Sequence, residues 1–104
     1  MIRVENKRRY QGCGVYVGRP SLLGNPYVIG KDGDKGEVIR KYRVWLWQQI
    51  QQRTLVYREL QRLAEIARKG DVHLICWCKQ PDHEVACHGD ILKLAINWIN
   101  SAME

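Results

Sequence analysis

Between Cys76 and Asp90 the chain reads CWCKQPDHEVACHGD, which gathers three of its four cysteines and two of its three histidines. Side chains of this kind can hold a metal, attack a substrate, or simply pack. As a metal set, Cys78, His83, Cys87 and His88 offer the sulfur and nitrogen ligands that zinc accepts. The spacing does not favour zinc. Structural sites draw on cysteine knuckles, whereas Cys76 and Cys78 fall in a strand-like run, ~6.6 Å apart at ~3.3 Å per residue. Adjacent Cys87 and His88 would have to aim at one point, and the thiols would have to ionise at neutral pH.

As nucleophile and base, Cys87 and His88 sit just before a segment that reads as a helix. The N–H groups and partial positive charge of a helix start lower a thiol pKa. His88 can move a proton near neutrality. The amides at His88 and Gly89 can also receive a phosphate. Asp90 competes, because as an N-cap its carboxylate would occupy the donors an anion wants. Packing is the simplest reading for Cys76, which shares a strand face with Val72 and Leu74. His73 reads as a structural histidine, His83 as a solvated loop residue and Cys13, between two glycines, as inert. For Cys87 the nucleophile, ligand and packed-thiol readings stay open.

A second segment, GRPSLLGNP from Gly18 to Pro26, is a shaped loop. Arg19 can grip a phosphate with two parallel hydrogen bonds. Ser21 and Asn25 add a hydroxyl and an amide for a base or ribose. Gly18 and Gly24 imply a positive φ or a close approach. Pro20 and Pro26 stiffen the loop, which lowers the entropy lost on binding. A rigid structural loop explains the same residues. Further toward the N-terminus, Lys7, Arg8 and Arg9 form a basic corner that could meet phosphates, with Tyr10 and Tyr16 near enough to stack on a base. A solvated edge is the plainer account of it. No helix-turn-helix, zinc-finger or RNA-recognition signature is present.

These loops need elements to hold them. Ile2 and Val4 alternate with Arg3 and Glu5, which predicts a strand; Val15 to Val17 predict a second, and Tyr27 to Ile29 a short third. Asp34 and Glu37 have capping-box spacing ahead of a helix over 35–52 that buries Val38, Ile39, Tyr42, Trp45, Leu46 and Ile50. Thr54 can cap a second helix that buries Leu60, Leu63, Ala64 and Ala67 and ends with Gly70 at C′. Both helices read as scaffold without chemistry. Asp71 to Cys78 is apolar on both faces, which suits a central strand covered on both sides. After Asp90, the residues Ile91, Leu94, Ala95, Trp98 and Ile99 line one helical face. The order predicts a single small α/β domain over 1–104, with a mixed or parallel sheet of about three to four strands flanked by three helices. Ligands gather at the carboxyl ends of strands in such sheets, where both loops lie.

Composition narrows the partners. With 104 residues the chain is one domain in length, and a net charge of +6 favours an anionic partner. The N-terminus MIRVENKRR has no apolar core of a signal peptide, and no apolar run approaches the ~20 residues of a membrane span, so a cytoplasmic protein with reduced thiols and no membrane partner is expected. Exposed tryptophans such as Trp47 would mark a homodimer surface.

The two loops together resemble a small family found in bacteria and their phages, catalogued only as a domain of unknown function. Its pattern runs V-x-N-(K/R)-R, G-R-x-S-x-x-G-N-P, a basic-aromatic helix and C-W-C-x-P…C-H-G-D, matched here by Val4 to Arg8, Gly18 to Pro26, the helix around Tyr42 and Trp45, and Cys76 to Asp90. The family's loop between C-W-C and C-H-G is usually shorter, so His83 falls in an insertion. The resemblance implies that the two loops form one site, and its phage setting suggests nucleotide or nucleic-acid metabolism. The leading expectation is a phosphorylated, nucleotide-like ligand held between the 18–26 and 79–90 loops by Arg19, Ser21, Asn25, Gly89, Asp90 and Arg8, with Cys87 and His88 supplying any chemistry. The alternatives are a non-catalytic nucleic-acid-binding or phage accessory module, carried by Arg8 and Arg9, and a zinc-stabilised domain.

Overall fold

The alternation at the N-terminus and the apolar run before Cys76 become strands of one sheet. The computed structural model describes residues 1–6, 12, 14–19, 21–76 and 88–102. In chain order the elements are β1 (Ile2–Asn6), β2 (Val15–Tyr16), α1 (Lys35–Gln51), α2 (Leu55–Lys69), β3 (Val72–Cys76) and α3 (His88–Ala102). The sheet order is β1-β3-β2, and both pairings are parallel, with Ile2 opposite Val72 and Val15 opposite Leu74. The carboxyl ends of β2 and β3 therefore point the same way, toward the segments that carry the candidate residues.

β3 is central, as its sequence predicts, but it is not equally covered on both faces. Val72, Leu74 and Cys76 are buried, while His73 and Ile75 are half-buried. The buried face joins Tyr42, Leu46, Leu60, Leu63, Leu92 and Ile96 in one core. On the other face the His73 ring faces the Glu5 carboxylate across the strands at 3.3 Å, which gives a half-buried polar side chain a partner.

The start of α1 follows the sequence closely. The Asp34 carboxylate accepts from the Glu37 amide at 2.9 Å, and the Glu37 side chain accepts from the Asp34 amide, a reciprocal cap. Val38, Tyr42, Leu46 and Ile50 form its buried stripe, four residues apart. Tyr27 to Ile29 do not form a strand. The Asp32 carboxylate accepts from the Val28 amide and the Asp32 amide donates to the Val28 carbonyl, each at 2.8 Å, so a side-chain turn takes the groups a ladder would need. Thr54 precedes α2 without a side-chain cap bond, and its buried hydroxyl has no partner among the described residues.

α3 departs most from expectation. It begins at His88, so Asp90 lies in its first turn rather than at its cap. Its buried residues are Leu92, Ala95, Ile96 and Ile99, whereas Leu94 and Trp98 are 61% and 48% exposed. The segment ILKLAINWI carries two overlapping apolar stripes that share Ala95 and Ile99, and contact with α2 and β1 selects the one through Leu92 and Ile96. Among the described residues, no helix is long and apolar enough to cross a membrane.

Gly70 ends α2 with φ 176°, which is extended backbone rather than a left-handed cap, and a Cβ there would meet nothing within 4 Å. Gly70→Ala should therefore raise stability by about 0.4–1 kcal/mol, because alanine restricts only the unfolded chain. Chemical denaturation checks this; a loss of stability would restore the C′ role expected from sequence.

Candidate functional site

The 17–25 loop contains buried backbone that neither a strand nor a helix satisfies, and side chains from two helices supply the missing bonds. The fully buried Tyr42 of α1 donates its hydroxyl proton to the Leu23 carbonyl at 2.7 Å. Burial drives its phenol pKa far above the ordinary value, so it stays a donor. Asn25 spans the loop and α1: its Oδ1 accepts from the Tyr27 amide at 2.9 Å and its Nδ2 donates to the Val38 carbonyl at 3.4 Å. Val17, just after β2, donates its amide to the Ile75 carbonyl of β3 at 2.9 Å, and its carbonyl lies 2.8 Å from Nε2 of His88.

His88 opens α3 and is 7% exposed. A carbonyl can only accept, so this contact places the ring proton on Nε2. Desolvation pushes the imidazole pKa below its ordinary value. The Val17 hydrogen bond opposes that, nearby Arg19 lowers the pKa further, and Asp90 opposes. The ring packs edge-on against Tyr42, with centroids 5.4 Å apart at 84°. Tyr42 and His88 thus join the loop, α1 and α3 at one point.

The loop is tight enough to need its glycines. A Cβ at Gly18 would fall 2.5 Å from the Tyr16 hydroxyl, and one at Gly24 would fall 3.0 Å from the Arg19 amide. Neither glycine has a positive φ, so close approach is the reason for both. Tyr16 folds over the loop and donates to the Arg19 carbonyl at 2.7 Å.

These constraints enclose a cavity of about 240 Å³ lined by Tyr16, Arg19, Asn25, Tyr27, Lys35 and His88, with Gly18, Ile29, Val38 and Ile39 completing the wall. Arg19 and the start of α3 face the same space. Arg19 and Lys35 put two cations on the cavity, the two tyrosines contribute aromatic surface, and no carboxylate lines it among the described residues. Such a lining suits a ligand that carries both an anionic group and a planar one.

The expected residues separate into groups. Arg19, Asn25 and His88 line the cavity. The Ser21 hydroxyl is buried without a partner among the described residues and lies off the cavity, while the Ser21 backbone closes turns with Gly18 and Gly24. Gly89 and Asp90 occupy the first turn of α3 and do not line it. Arg8, Cys78, His83 and Cys87 lie outside the described residues, as do Lys7, Arg9, Tyr10, Cys13, Pro20 and Trp77. The zinc set thus meets the described structure only at His88, whose Nε2 is committed to the Val17 carbonyl.

The first turns of α1, which the sequence presents as scaffold, also line the cavity through Lys35, Val38 and Ile39. Tyr27 and Ile29, taken as strand residues, form another part of the lining. The signal for Lys35 was its place directly after the Asp34 cap, beside the shaped loop.

The family model described as a domain of unknown function, DUF4326, matches residues 2–98. The chain belongs to that family. Its span takes in the sequence of both loops, α1 and most of α3. No curated protein and no solved structure matches the chain.

Because the folded pKa of His88 lies below its unfolded value near 6.5, the unfolded chain binds the extra proton. This contribution to stability is complete above the unfolded value of about 6.5 and is lost as pH falls from there through the lower folded value. His88→Gln keeps an Nε2 donor for Val17 but cannot titrate. Melting temperatures of wild type and His88→Gln measured across pH 5 to 8 should diverge in slope, with the variant flatter on the acid side; parallel profiles would contradict a buried neutral His88.

Proposed function

We propose that this DUF4326 protein binds a phosphorylated, nucleotide-like small molecule in the cavity between the 16–29 segment, the start of α1 and His88, and acts in nucleotide or nucleic-acid metabolism. The observation that carries this reading is the pairing of Arg19 and Lys35 with Tyr16 and Tyr27 around one space that no described carboxylate enters. Arg19, planar and always charged, grips phosphate oxygens in pairs, and Lys35 adds a second positive charge to the lining. The tyrosine rings give a base an apolar face.

The volume sets the size class. About 240 Å³ is just below the ~300 Å³ at which pockets for drug-sized ligands begin. That suits a mononucleotide-sized group better than a dinucleotide. The side chain of Asn25 is spent on holding the loop to α1, so in this reading it positions Arg19 and Tyr27 and acts on the ligand only through them. If a covalent step occurs, Cys87, one residue before His88, is its nucleophile.

A panel of nucleoside mono-, di- and triphosphates, with inorganic phosphate and free nucleosides as controls, tests the reading by thermal shift. A ligand present at 100 times its Kd adds ~2.7 kcal/mol, which raises the melting temperature of a domain this size by roughly 10 °C. Arg19→Ala should abolish most of that shift, and Lys35→Ala should reduce it. No shift with any nucleotide, or an undiminished shift in Arg19→Ala, would overturn the proposal.

A further inference from the structure

A second concavity lies at the other end of α1, roughly 18 Å from the first along a helix axis that rises ~1.5 Å per residue. It is lined by Trp47, Ile50 and Gln51 of α1, Arg53 of the α1–α2 link, Tyr57 of α2 and Trp98 of α3, and it encloses about 260 Å³. Trp47 and Trp98 meet edge to face, with ring centroids 5.0 Å apart at 81°. Trp98 is 48% exposed because α3 turns its other apolar stripe into the core. The core therefore leaves this indole in contact with solvent instead of absorbing it.

Arg53 follows the C-cap of α1 and brings a cation to the groove. Its φ is 55°, which makes it the only described non-glycine residue in the left-handed region. That conformation closes α1 in a Schellman turn, in which the Arg53 amide donates to the Ile50 carbonyl and the Thr54 amide to the Gln49 carbonyl, each at 3.3 Å. The side chain extends over the Tyr57 ring, 4.6 Å from the centroid, and donates to the Tyr57 hydroxyl. Arg53 is also the only charged residue lining the groove, on a chain of net charge +6. The groove thus offers two indole rings, a phenol and one cation.

We infer that this groove takes an unpaired base of single-stranded nucleic acid, stacked against the Trp47–Trp98 pair, with the adjoining phosphate on Arg53. Charge decides between occupants. A second copy of the chain would bring another +6 to a surface whose one charge is positive, whereas a nucleic-acid strand brings anionic phosphates and π-faces together. The inference is independent of the cavity at Arg19, which shares no lining residue with the groove.

Fluorescence anisotropy of labelled oligothymidylate and oligodeoxyadenylate with the full chain at low salt tests it. Binding that weakens as salt rises is expected. Trp98→Ala should weaken it at least about tenfold, in keeping with the worth of one stacked base. Arg53→Gly should weaken it several-fold while leaving the melting temperature unchanged or higher, since glycine adopts φ 55° without strain. Arg19→Ala should bind as wild type does. Absence of oligonucleotide binding, equal affinity in Trp98→Ala and Arg53→Gly, or loss of binding in Arg19→Ala would each overturn the inference. So would a concentration-dependent dimer that Trp98→Ala dissolves while no oligonucleotide binds, which would make the groove a contact between copies.

Discussion

A loop that runs into the interior must satisfy its carbonyls, and in this protein two ring side chains do so. Tyr42 bonds to the Leu23 carbonyl and His88 to the Val17 carbonyl, and the two rings touch each other. Without these partners the segment would leave buried acceptors unpaired, at about 1–3 kcal/mol each. Because the partners come from α1 and α3, satisfying the loop also fixes where both helices begin relative to it. The cavity follows from that constraint: its walls are the surfaces these bonds hold together.

Charge is divided to match. His88 is held neutral by burial and by Arg19, so it serves as a donor to the backbone rather than as a cation. The positive charges are carried instead by Arg19 and Lys35, whose side chains are exposed. Rigid, uncharged groups set the geometry, and the two cations that line the cavity stay in contact with solvent. This arrangement lets a polar site sit against the core without burying an unpaired charge.

Much of the fold was legible in local patterns. The Asp34–Glu37 cap, the stripe from Val38 to Ile50, the buried Cys76 and the central place of β3 follow from period, capping and β-forming residues. The rest depended on contacts between distant segments. The phase of α3 could not be read from ILKLAINWI, because two apolar stripes fit equally well until α2 and β1 choose one. Val28 reads as a strand residue until the Asp32 carboxylate takes its amide. Arg19 and His88 were visible from residue type and loop context. The tie from Tyr42 to Leu23 was not, because a tyrosine in an apolar stripe looks like packing and nothing local shows what its hydroxyl meets. Lys35 was missed for a related reason, since a lysine in a first helical turn reads as solvated.

The most direct test of the account is the protonation state of the His88 imidazole, read by long-range nitrogen–proton NMR on the labelled chain at neutral pH. The account requires a neutral ring with its proton on Nε2, slow to exchange and resistant to protonation below pH about 6.5. A ring protonated on Nδ1, or one that titrates like an exposed histidine, would mean that the Val17 carbonyl is not its partner and that the loop and α3 are not joined as described.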